Sequence, residues 1–200
     1  MDLIERAKAI LLQPKEEWQV INTERTTPAE LYTSYIAPLA AIGPVASLIG
    51  LSIVGIRLPS LGTYRMPLGT SLAYAVVRYL MTLAGVYVLA LIINALAGTF
   101  SGEKNEIHAL KVAAYASTAA WVAGIFIVIP MLGVLGLLGL YSLYLLYLGL
   151  PILMKAPQEK ALGYTAVVII AAIVIFMVIN LGSRAFMPYP GPMMRMPGVG

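Results

Sequence analysis

The 200-residue sequence has no cysteine and a single histidine, His108. The lack of cysteine excludes disulfides, thiol nucleophiles and thiolate metal sites, and one histidine excludes a multi-histidine metal centre. We interpret His108 as a solvated residue of a short polar loop. From these absences we expect no bound metal, no cofactor and no catalytic residues of the thiol or metal classes.

Charged residues are also scarce, since they make up 11% of the chain while 60% is hydrophobic. With a mean hydropathy of +0.87, this composition excludes an ordinary soluble domain and indicates a one-domain integral membrane protein. The formal net charge is +4, but the basic residues are scattered without a dense patch. We therefore expect no nucleic-acid partner, and we expect membrane lipids, anionic ones included, to be partners of the charged residues.

Long apolar runs are what the sequence has in abundance. The clearest lies between Leu132 and Met154, where no residue is charged over a length that crosses ~30 Å of hydrocarbon. The tail at 185–200, rich in Pro, Gly and Met, has little to bury and is predicted to be disordered. We predict an all-α polytopic helix bundle with five transmembrane helices at about residues 28–56, 70–97, 109–129, 132–154 and 161–184.

Residues 1–27 precede the first span and are predicted to form short amphipathic helices. Leu3, Ala7 and Ile10 fall on one helical face, and charged residues fall elsewhere. Such a helix lies in the membrane interface or packs on the protein's own loops, and the sequence leaves both interpretations open. Trp18, in a second short helix, is interpreted as an anchor at headgroup level.

The start of the first span carries a recognisable signature. Thr27 can cap the helix, Pro28 suits its first turn, and Glu30 can reach back to complete a capping box. Further along, Pro38 and Pro44 each remove a backbone N–H from the helix. We therefore expect a kinked first span whose freed carbonyls bond to neighbouring helices.

The second predicted span contains a charged residue, Arg78, ~12 Å from its start. We interpret Arg78, with Tyr74 one turn away, as a candidate site for a lipid phosphate or another anion. The alternative is an anchor whose long side chain reaches the interface. Asn94, near the other end of this span, is predicted to hydrogen-bond to another helix.

Tyrosines mark one side of the fourth predicted span, at Tyr141, Tyr144 and Tyr147. A hydroxyl facing hydrocarbon is costly, so we expect this face to point into the bundle, with Tyr144 bonded to another helix. Before it, residues 130–139 contain one proline and three glycines. A tight hairpin is favoured there, and a re-entrant piece is the alternative.

The basic residues are unevenly divided between the two ends of a five-span bundle. The positive-inside rule places the richer end, which includes the N-terminus, in the cytoplasm and the C-terminus outside. The N-terminal side holds Arg6, Lys8, Lys15, Arg25, Lys104, Lys111, Lys155 and Lys160, and the opposite side holds Arg57, Arg65, Arg184 and Arg195.

Five segments carry a resemblance to a known family: PKEEW at 14–18, AELYTSYIAPLAAIGP at 29–44, INALAGTFSGEK at 93–104, KVAAYAS at 111–117 and LYLGLPILMKAP at 146–157. Together they resemble the Yip1-domain family of five-span membrane proteins in its short prokaryotic form. The resemblance implies a multi-pass protein of a prokaryotic cytoplasmic membrane, with no catalytic residues to carry over. Eukaryotic relatives associate with Rab GTPases and act in membrane trafficking. They also carry a long cytosolic N-terminal region, which we do not expect in this chain.

Two functions of different classes fit these features. The first is a non-enzymatic membrane scaffold that organises protein partners, further copies of itself or lipids through its N-terminal helices and helix faces. The alternative is a small transporter or lipid-handling protein, in which the kinked first span, Arg78 and the tyrosines line a polar path. An enzyme is not expected, because the sequence has no paired intramembrane acids and no nucleophile motif.

Overall fold

The computed structural model describes residues 2–58 and 62–184, and nearly all of them are helical. The predicted disordered tail, 185–200, lies outside the described residues. Two short helices come first. Five long helices follow them, and each of these five is apolar and long enough to cross a membrane. They are α1 (Leu3–Leu12), α2 (Pro14–Thr23), α3 (Pro28–Val54), α4 (Leu68–Phe100), α5 (Glu106–Val128), α6 (Leu132–Leu153) and α7 (Gln158–Ser183). The five predicted spans and the all-α bundle are confirmed.

Helix α3 begins with the capping box that the sequence predicts. The Thr27 hydroxyl accepts from the Glu30 N–H at 3.2 Å, and the Glu30 carboxylate accepts from the Thr27 N–H at 2.8 Å. Further along, the winding loosens into π-helical turns at Tyr32–Ile36 and Gly50–Val54. The first ends just before Pro38, which has no N–H for the regular ladder. Beside this stretch, the Tyr79 hydroxyl of α4 donates to the Ala37 carbonyl at 3.2 Å and ties α4 to α3.

A small antiparallel hairpin follows α3, which the sequence did not predict. Strand β1 (Ile56–Leu58) pairs with β2 (Gly62–Tyr64). Gly55 precedes β1 with a φ of +80°, a conformation that favours glycine. An added Cβ there would lie 2.7 Å from the Tyr64 carbonyl oxygen, so glycine is required both by conformation and by space.

The connection from α5 to α6 is tight. The backbone is extended at Ile129, and a 3-10 segment from Pro130 to Leu140 leads into the regular part of α6. The two helices then pack closely, since an added Cβ at Gly139 would lie 3.1 Å from the Cα of Ala120. This geometry is the hairpin that the sequence favoured.

The loops that follow α4 and α6 meet at one end of the bundle. The Glu103 N–H donates to the Met154 carbonyl at 2.8 Å, and Lys155 forms an ion pair with Glu103 at 2.6 Å. Helices α1 and α2 pack at this same end, against α5 and α6. The first half of α5 is covered by protein, because every residue from Ala109 to Ala116 is buried. The core of the molecule therefore lies under the two N-terminal helices.

Candidate functional site

The two N-terminal helices, together with the linker that follows them, form what we call the N-terminal platform (residues 2–27). A buried arginine holds it together. The Arg6 guanidinium pairs with the carboxylates of Glu17 and Glu24. The side chains of Arg6 and Glu17 are each only 7% exposed. Burial alone would lower the pKa of Arg6, but the hydrogen bond and charge of Glu24, with the charge of Glu17, outweigh it and raise that pKa.

A lysine from α5 fastens the platform to the bundle. Lys111 is 1% exposed, and its ammonium donates to the carbonyl oxygens of Ile21 at 2.8 Å and Glu24 at 2.5 Å. These carbonyls belong to the end of α2 and the residue that caps it, where a cation is favourable. In sequence, Lys111 is one of the basic residues of the N-terminal side. In the structure it is a buried residue inside α5 and a link between platform and bundle.

An aromatic layer lies below the ion pairs. The rings of Tyr35 and Tyr115 are 4.5 Å apart, and the Tyr35 hydroxyl shares a 2.7 Å hydrogen bond with Thr118. The Arg6 guanidinium lies 6.0 Å from the centre of the Tyr115 ring, within range of a cation–π attraction. This layer joins α3 and α5 directly under the platform.

An open polar pocket of about 590 Å³ remains beside this layer. Its walls include Arg6 and Glu24 from the ion-pair cluster, Arg25 from the linker, and Tyr35 and Tyr115 from the aromatic layer. Acidic and basic groups are mixed in the wall, so it favours no simple anion or cation. The pocket suits a polar peptide or loop that presents charges of both signs.

Trp18 is not an interface anchor, and that prediction is wrong. Its side chain is fully buried and meets Tyr115 edge-on, with ring centres 6.2 Å apart. A Cβ added at Gly149 of α6 would lie 2.6 Å from the indole, so only glycine leaves room for this ring. Trp18 is therefore a buried contact between the platform and α6.

The prediction that the tyrosine face of α6 points into the bundle is also corrected. Tyr141, Tyr144 and Tyr147 are 36%, 41% and 37% exposed, so they lie along the outside of α6 and not in the bundle. Tyr141 donates to the carbonyl of Leu11 at 3.2 Å, which is one of the free carbonyls at the end of α1. Among the described residues no hydrogen-bond partner is found for the hydroxyl of Tyr144, which was expected to bond to another helix.

The sequence also led to predictions for Arg78, Asn94 and His108. Arg78 donates to the Tyr74 hydroxyl at 2.8 Å, so the expected pair forms within α4. The side-chain oxygen of Asn94 is buried and finds no partner in the described parts of the chain, so its predicted bond to another helix is not seen. His108 is not a loop residue, since it lies in the first turn of α5 with its Nδ1 2.9 Å from the Leu153 carbonyl oxygen. Within residues 2–58 and 62–184, no three His, Asp or Glu side chains are grouped as metal ligands.

Comparison with known proteins gives a consistent result. Residues 8–179 match the Yip1 domain family, so the match covers the platform from Lys8 onward and most of the bundle. The chain is 28% identical over 157 residues to the inner membrane protein YohC of two Escherichia coli strains. That similarity covers 76% of this chain and 80% of YohC. No solved structure matches the chain.

Proposed function

The chain belongs to the Yip1 domain family, and from that premise we infer that it is a non-enzymatic scaffold that gathers protein partners at a membrane. Because its relative YohC is named as an inner membrane protein, we place it in the inner membrane of a prokaryote. The observation that carries this proposal is the N-terminal platform, which buried charges and an indole fix to the bundle.

The platform has the properties of a docking surface. Its inner side is ordered by Arg6, Trp18 and Lys111, so binding a partner costs little ordering of the platform itself. Its outer side mixes exposed charged residues with exposed apolar ones, among them Leu12 at 78% and Val20 at 44%. Apolar surface rimmed by polar groups marks sites that contact proteins or membranes, and the experiment below separates the two.

We test this with a photoreactive amino acid at Val20, and with the same residue at Phe176 as the matched control. Phe176 lies on the outside of α7 and is 60% exposed, so it should react only with lipid. Irradiation of membranes from the native host should attach a protein of defined mass at Val20 and none at Phe176. Mass spectrometry identifies the attached chain. If Val20 yields only lipid or water products, the platform does not gather partners.

The proposed orientation places the platform in the cytoplasm. A reporter that is active only in the cytoplasm should work when fused before Met1 or inserted beside Lys104. A reporter active only in the periplasm should work when fused after Arg184. Cytoplasmic activity at both termini would contradict the odd number of crossings, and cytoplasmic activity at the C-terminal fusion alone would contradict the orientation.

A lipid-handling function is the second candidate, and one observation favours it. Arg78 is a charged side chain inside the span of α4, and its contact in the described structure is the hydroxyl of Tyr74. It lies toward the end of the bundle opposite the platform.

A further inference from the structure

An apolar groove of about 560 Å³ runs along the outside of the bundle between α4 and α7. Aliphatic side chains and methionine line it, and its floor is the buried Gly85. A Cβ at Gly85 would lie 3.0 Å from both Ile175 and Ile179, so the missing side chain lets α4 and α7 approach closely beneath the groove. The rim is exposed, with Val88 at 44% and Val178 at 55%. In a membrane this surface faces acyl chains.

Arg78 lies on the same face of α4 as the groove. Arg78, Met81, Gly85 and Val88 are separated by three, four and three residues, a spacing that aligns them along one side of a helix. Tyr74 precedes Arg78 by four residues and continues this line. Arg78 is therefore on the groove side of α4, about one turn before Met81, where the groove begins.

That end of the groove coincides with the last turn of α7. A Cβ at Gly182 would lie 2.6 Å from the methyl of Met81, and the Ser183 hydroxyl lies 4.0 Å from the Met81 sulfur. Helix α7 ends at Ser183. Arg78 precedes Met81 by three residues, so it lies ~4.5 Å nearer to the start of α4. It is thus level with the end of α7, and from there its long side chain can extend toward the headgroups.

The groove has the length of one lipid leaflet. From Met81 to Ile92 it extends over eleven residues of α4, which is ~16 Å of helix. Half of a ~30 Å hydrocarbon core is ~15 Å. A chain that enters beside Arg78 therefore reaches the middle of the membrane where the groove ends.

The arginine still has hydrogen-bonding capacity for a ligand. One of its nitrogens donates to the Tyr74 hydroxyl at 2.8 Å, and that hydroxyl keeps its own hydrogen to donate. The side chains of Arg78 and Tyr74 together match the oxygens of a phosphate, which guanidinium groups bind in a bidentate manner.

We propose that this site binds one anionic phospholipid, with its phosphate on Arg78 and Tyr74 and one acyl chain in the groove over Gly85. The lipid belongs to the leaflet opposite the N-terminal platform. Because the site is far from the platform, the proposal does not depend on the scaffold function and can fail or succeed separately from it.

The test is native mass spectrometry of delipidated protein titrated with phosphatidylglycerol, with phosphatidylethanolamine and with inorganic phosphate. The wild-type protein should bind one phosphatidylglycerol about tenfold more tightly than phosphatidylethanolamine, and it should not retain inorganic phosphate. Arg78→Lys should weaken phosphatidylglycerol binding about tenfold, as the loss of one charge-assisted hydrogen bond predicts. Arg78→Leu should weaken it further.

A second pair of variants examines the groove without altering the charge. Val88→Trp should fill the groove and weaken phosphatidylglycerol binding, whereas Leu80→Trp, at a 57% exposed position outside the groove, should not.

Arg65→Gln is the control for charge, because it removes an exposed arginine of the loop before α4 and should leave binding unchanged. Equal binding by wild type, Arg78→Lys and Val88→Trp would overturn the proposal. Retention of inorganic phosphate, unaffected by Val88→Trp, would also overturn it, since the ligand would then be a free anion.

Discussion

Replacing Arg6 with methionine should lower the free energy of unfolding by about 3–5 kcal/mol. Methionine preserves much of the volume, but it leaves the carboxylate of Glu17 charged and without its partner where the side chain is 7% exposed. The cost is mainly that of an uncompensated buried charge and not that of a lost attraction. The measurement is equilibrium unfolding in detergent micelles, followed by the loss of helical circular dichroism.

The matched control is Arg25→Met, which removes the same charge from an exposed linker residue of the platform. It should change stability by less than about 1 kcal/mol, as exposed charges do. The double variant Arg6→Met with Glu17→Leu should recover much of the loss, because it removes both buried charges. Equal stabilities of Arg6→Met and Arg25→Met would show that Glu17 is solvated and that the platform is loosely attached.

Replacing Trp18 with alanine should also cost about 3–5 kcal/mol, the range for a large aromatic side chain lost from a core. The indole is fully buried, fills the space over Gly149 and touches Tyr115. Trp18→Phe should cost much less, since phenylalanine retains most of the apolar contact. It also removes an indole N–H that has no acceptor among the described residues.

Gly149→Val examines the same contact from the other side. Its Cβ would lie 2.6 Å from the indole of Trp18, so either the ring or α6 must shift, at about 1–3 kcal/mol. Leu12→Ala is the control, because Leu12 is 78% exposed and should contribute little in micelles. If Trp18→Ala is no more destabilising than Leu12→Ala, the indole is not part of the core.

The five spans could be predicted from the sequence because lipid imposes a simple rule. Every backbone polar group must be satisfied within a helix, so a continuous apolar run is a sufficient signal. The predicted start at residue 28 agrees with the structure, since Thr27 and Glu30 form a local capping box that needs no tertiary contact. Such features depend on neighbours in sequence, which are visible in advance.

The candidate site depends on contacts between distant residues, and there the sequence was insufficient. A tryptophan in a short amphipathic helix has the same local pattern whether it faces headgroups or, like Trp18, a glycine of α6. The sequence did contain one signal that α5 is covered by protein. Of the five spans, α5 is the least hydrophobic, and it contains Lys111. It is also the span most buried by protein. A weakly hydrophobic span with an internal lysine indicates a helix covered by protein and not by lipid.

The most direct test of a platform packed on the bundle is the fluorescence of Trp18. The chain has two tryptophans, so Trp121→Phe leaves Trp18 as the single reporter. A comparison protein carries Trp18→Phe, Trp121→Phe and Leu12→Trp, which moves the reporter to an exposed platform position. Both are reconstituted in vesicles with and without brominated phospholipid, and aqueous acrylamide is added to each. We expect Trp18 to resist both quenchers while the tryptophan at position 12 is quenched by at least one. Strong quenching of Trp18 by brominated lipid would place the indole in the membrane interface and contradict a platform that packs on the protein.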